Sequence, residues 1–103
     1  MNASAIRAIE SYIRDLGEPQ MRWKKSRRDQ CIYSRWAANE LLGYVIFHKE
    51  IPSIQAVEDF MRKMDSFACL NQKNSYIFSV AYDTAADILD LLICSLRKEK
   101  RNG

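Results

Sequence analysis

Cys31–His48, CIYSRWAANELLGYVIFH, is the stretch whose reading decides the fold. At about 100° per residue, Leu41, Leu42, Tyr44, Val45, Ile46 and Phe47 spread round the whole circumference of a helix instead of along one stripe. A helix that is apolar all round has to be covered all round. In a chain of 103 residues this makes it the central element, or leaves part of it to a second copy of the protein. Ile32, Tyr33, Trp36, Ala37, Leu41, Tyr44 and Val45 keep the 3.6-residue period, so the segment reads as helix even though GYVIF at 43–47 has strand propensity. Gly43 interrupts the face and Glu40 falls inside it. A buried Glu needs a partner. Arg35 and Asn39 supply polar company, either in a structural network or as a specificity element at an oligomer interface.

Upstream, Ile6, Ile9, Ile13 and Leu16 recur at helical spacing and predict a first helix over about 4–16, capped by Asn2 or Ser4 and ended by Gly17 in a left-handed conformation. Residues 18–28, EPQMRWKKSRR, form a connection. Ser26 with Asp29 resembles a capping box and predicts that the second helix starts near Arg27. Arg27 and Arg28 would then sit where the helix dipole disfavours positive charge, which calls for an acidic partner or a bound anion.

Downstream, Ile51-Pro52 makes a tight connection and Ser53 is the expected cap of a third helix. Val57, Phe60, Met61, Met64 and Phe67 or Ala68 make its stripe. Residues 71–74 read as a loop. A fourth helix over about 75–97 carries Phe78, Ala81, Ala85, Ile88, Leu92 and Leu96 in a near-heptad seam. Its opening, 75–80, is strand-like in composition. The fold class expected is therefore all-α, one domain over 1–103 made of about four helices, built round the second and packed mainly by the third and fourth, with a frayed basic tail at about 98–103. The alternative is α+β, with a short hairpin from GYVIF and SYIFSV.

With only 3 Gly and 2 Pro, the chain does not read as a turn-rich sandwich or a linker. The net charge of +3 is unevenly placed: nine basic and six acidic groups lie in 1–50, three and six in 51–96, four and one in 97–103. Local patches therefore matter more than the total. No apolar run has the length of a signal peptide or a membrane span. Cys31, Cys69 and Cys94 are odd in number and widely spaced, which fits a reducing, cytoplasmic setting better than a disulfide framework.

Three groups of residues carry candidate chemistry. Arg22, Trp23, Lys24, Lys25, Arg27 and Arg28 place five cations round one indole, a combination that serves nucleic acids: cations neutralise phosphates and the ring stacks on bases. Asp83, Asp87 and Asp90 share one helical face and could hold a divalent metal for hydrolysis if Glu58 or Asp59 joined them from the third helix. The same three aspartates argue against a helix–turn–helix reading, since DNA would repel them. His48 with Cys31, Cys69 and Cys94 lacks the paired spacing of a zinc site, so the cysteines are expected as small core residues. No catalytic constellation, metal or cofactor is expected. Surplus apolar surface is the strongest signal. It favours a small interaction module whose partner is a protein, itself included as a homodimer, with nucleic acid the alternative and no membrane partner.

Overall fold

The computed structural model describes residues 3–102, with the backbone alone at Leu96 and 98–102. It holds four α-helices: α1 (Ala3–Leu16), α2 (Lys25–Phe47), α3 (Ser53–Leu70) and α4 (Ser75–Asn102), with a single 3-10 turn at Gln72–Asn74 before α4. Among the described residues there is no strand. GYVIF and SYIFSV are both helical, because the period on either side and the buried neighbours outweigh local strand preference.

The bundle is organised round α4 rather than α2. The α3–α4 contact is the most extensive, and α4 also touches α2 and α1. Beyond α4, α2 leans more on α1 than on α3. The reason lies in the small side chains. Ala81 and Ala85 on α4 meet a layer containing Ala37 and Ala38 of α2, Ala5 of α1 and Ala56 of α3, all buried in one cluster. Ile9, Leu41, Val45, Val57 and Ile88 fill the space between the helices and are fully buried. Each such side chain contributes roughly 1.5–3 kcal/mol of transfer free energy.

Local starts and stops differ from the sequence reading in places. Gly17 ends α1 with φ 66°, the left-handed conformation expected there. Ser4 lies within α1, not at its cap, and Asn2 is outside the described residues. α2 starts at Lys25, two residues before the expected point, and Ser26 lies inside it. Lys24 occupies the cap position without a side-chain cap. Pro52, not Ser53, is the cap residue of α3: its fixed φ of −54° suits that position, and its carbonyl accepts from Ala56 N–H at 2.9 Å. α4 runs to Asn102, through most of the stretch expected to fray.

Tyr12 ties α1 to α4. Its hydroxyl lies 3.5 Å from Asp87 Oδ2 as donor, beside the buried Thr84. Burial, and then the Asp87 carboxylate, hold the Tyr12 phenol above its ordinary pKa of 10.0, against a smaller lowering by Thr84. A raised folded-state pKa means the neutral phenol stabilises the fold fully below pH ~10 and loses that contribution as pH rises through the folded value. The fall in stability measured by denaturant unfolding above pH 10 should be shallower in Tyr12→Phe than in the native chain. An equally steep fall would mean that Tyr12 does not titrate differently on folding.

Candidate interaction surfaces

The face of α2 turned away from the bundle exposes large apolar side chains at both ends, with Asn39 and Glu40 between them. Ile32 is 46% exposed, Trp36 39%, Ile46 52% and Phe47 79%. Ile32 and Trp36 were expected on the buried face. They lie outside because Ala37, Ala38, Leu41 and Val45 fill the inward side, roughly opposite them on the helix. Glu40 is exposed as well, so it needs no buried partner. Arg35 instead donates to the Gly17 carbonyl, and Asn39 Nδ2 donates to the Arg35 carbonyl at 2.9 Å.

At its N-terminal half this face opens into a groove of about 380 Å³ between α2 and the start of α4, lined by Ile32, Tyr33, Trp36, Ile77 and Phe78, with Asn74 the single polar side chain. Ring contacts make its walls. Trp36 meets Phe78 edge-on at 6.5 Å between centroids, Tyr33 meets Tyr76 at 5.8 Å, and Phe67 of α3 backs Phe78 at 5.4 Å. The strand-like composition of 75–80 is thus spent on a helical aromatic wall. Sequence reading put Tyr33, Trp36 and Phe78 in the core, and the groove itself was not legible. At the opposite end of α2, the exposed Phe47 ring stands against His48 at 5.0 Å, and His48 lies 4.3 Å from Tyr44.

The basic cluster forms a second surface, at the start of α2. Arg22, Lys24, Lys25 and Arg27 are exposed, and Trp23 and Arg28 are half-buried. The Arg27 guanidinium lies 4.0 Å over the Trp23 ring, a cation–π contact. Arg28 Nη1 donates to Met21 Sδ at 3.6 Å, while its buried Nε has no partner. Among the described residues, none of the five cations is paired with a carboxylate. No acidic residue lies in the first turn of α2. Trp23 and Arg27 also edge an open cleft of about 210 Å³ with Leu16, Gln30, Cys31 and Ser34.

The acidic residues do not converge. Asp83, Asp87 and Asp90 face solvent along α4. On α3, Glu58 lines a different cleft with Tyr82 and Leu89, and Asp59 pairs with Arg62. Among the described residues no three metal-binding side chains gather, so the second-helix carboxylates that hydrolysis would need are not beside the aspartates. Only Cys31 is buried. Cys69 and Cys94 are exposed free thiols, which corrects their assignment to the core. No described helix is long and apolar enough to cross a membrane. No protein family, curated protein or solved structure matches the chain.

Gly43 stands on the outward face of α2. A Cβ built there would meet nothing within 4 Å. Nothing inside the molecule requires glycine, yet glycine costs about 1 kcal/mol relative to alanine within a helix. Gly43→Ala should therefore raise the stability of the dilute protein by about that amount in thermal or denaturant unfolding. A loss of stability would reveal an intramolecular contact at this position.

Proposed function

We propose that the protein is a small helical interaction module that associates with a second copy of itself through the outward face of α2. The observation that carries this reading is the exposed apolar surface of Ile32 and Trp36, widened by Tyr76 at the groove, and of Ile46 and Phe47 further along the same face, with Asn39, Glu40 and Gly43 between the two groups. At 150–250 Å² per large side chain, the exposed fractions amount to an area on the order of 500 Å². A standard interface covers about 800 Å² per partner, of which roughly 60% is non-polar. The surface thus has the apolar content of one side of such an interface. A cytoplasmic setting agrees with three free thiols, two of them exposed.

Sedimentation velocity or light scattering across the micromolar range should give a mass that rises with concentration, and Trp36→Ala should weaken that association at least tenfold. A strict monomer at every concentration rejects the proposal.

A second reading has its own support. Four further cations, none paired with a carboxylate, flank the stacked Trp23–Arg27 pair, and a polyanion would neutralise the cluster while an exposed base stacks nearby. The ligand class is single-stranded nucleic acid. Binding to a labelled oligonucleotide should weaken steeply with salt, with the log–log slope falling by about 0.7 for each phosphate contact removed. Lys24→Ala with Arg27→Ala should accordingly flatten the slope by about 1.4. An oligonucleotide that does not bind at low salt excludes this reading.

A further inference from the structure

The geometry points to one docking register for the self-association proposed above, and the inference rests on that reading. On a helix with 3.6 residues per turn, Ile32, Trp36, Gly43 and Phe47 fall within about 60° of one another. Two complementary features lie along this line. Phe47, the most exposed of these residues, is a knob at one end. The groove beside Ile32 is a socket at the other. Its volume of about 380 Å³ exceeds the ~150 Å³ that suffices for a benzene ring in an apolar cavity. Between them, Trp36 is bulky and half-exposed, while Gly43 is bare and faces open space.

Laid antiparallel on a second copy, α2 can match both features at once. Ile32 and its groove come opposite Phe47 of the partner subunit, and Trp36 comes opposite Gly43 of the partner subunit. Each match is made twice by the two-fold axis. The two pairs are independent, spanning about 22 Å and about 10 Å of helix, yet both centre on the same point between Asn39 and Glu40. A parallel arrangement would set Trp36 against Trp36 and leave both groove and glycine unmatched. Shifting the antiparallel register to bring Glu40 opposite Lys25 would place Trp36 on Asp29 and leave Phe47 uncovered. The glycine is then explained. Its missing side chain is the hole into which the tryptophan of the other copy fits, as small residues allow close approach elsewhere in helix pairs. The register has one electrostatic cost, since the two Glu40 carboxylates lie on the same side of the axis.

Site-directed cross-linking of the full chain tests the register. In a Cys31→Ala, Cys69→Ser, Cys94→Ser background, Asn39→Cys should form a disulfide-linked dimer on mild oxidation with oxidised glutathione, and Lys25→Cys should not. Gly43→Leu should weaken association at least tenfold while far-UV circular dichroism is kept and the dilute protein melts no lower than the native chain. Adding Trp36→Ala to Gly43→Leu should restore part of the loss, and Glu40→Gln should tighten association. Phe47→Lys, at a position that packs on nothing but His48 among the ring contacts, gives an independent loss of association without risk to the fold. A concentration-independent monomer overturns both this inference and the reading beneath it. A dimer that ignores Gly43→Leu and Phe47→Lys, or that cross-links through Lys25→Cys and not Asn39→Cys, overturns the register and leaves self-association standing.

Discussion

Close approach of the helices at alanine is the constraint on which the structure depends. Ala81 and Ala85 of α4, Ala37 and Ala38 of α2, Ala56 of α3 and Ala5 of α1 are buried together. Alanine has no side-chain entropy to lose and lets backbones come near. The larger aliphatic groups, Ile9, Leu41, Val57 and Ile88, then need to fill only the gaps. One consequence is that α4 contacts every other helix, running for about 42 Å along a molecule 45 Å in its longest extent. A second is that α2, packed on its inner side by Ala37 and Ala38 beside Leu41 and Val45, turns Ile32, Trp36, Ile46 and Phe47 outward. The same choice that closes the core leaves Ile32, Trp36 and Phe47 in solvent.

The elements that were legible in advance were those whose pattern and packing say the same thing. Helix α3 has one clear stripe, and Val57, Phe60 and Met64 are buried as that stripe requires. On α4, Ala81, Ala85, Ile88 and Leu92 follow the anticipated seam. Gly17 ends α1 because only a residue free of Cβ adopts its φ readily. α2 was legible as a helix but not in its orientation. Size-weighted hydrophobicity favours Ile32 and Trp36 as the inward residues, whereas packing at close helix separation selects the smaller Ala37 and Ala38. Periodicity cannot separate these two solutions on a helix that is apolar all round.

The candidate surfaces were unequally visible for a similar reason. The basic cluster is contiguous in sequence, so its residues are adjacent however the chain folds. Its Arg27–Trp23 contact is a local, four-residue pairing on the same side of the chain. The groove joins residues 32–36 to 74–78, and no local pattern announces that such distant segments meet. The aspartates show the converse. Asp83, Asp87 and Asp90 are regularly spaced, but a metal site needs ligands from a second element, and among the described residues no three metal-binding side chains gather: Asp59 pairs with Arg62, and Glu58 lines a separate cleft.

The two functional readings do not compete for the same surface, and the docking geometry relates them. In the antiparallel register each basic cluster lies beyond the groove end of α2, so the two clusters of a dimer point to opposite ends. Lys25 of one copy and Lys25 of the other would be separated by roughly 40 Å along the helix axes. That is several times the Debye length of about 8–10 Å at physiological salt, so mutual repulsion of the clusters costs the dimer little. It also sets a minimum span for any single polyanion that engages both ends at once. A strand shorter than this span meets one cluster only, while a longer one gains from bivalent attachment through effective concentration rather than through any new contact. Nucleic-acid affinity that jumps with oligonucleotide length only in the dimerising protein, and not in Phe47→Lys, would join the two surfaces into one function.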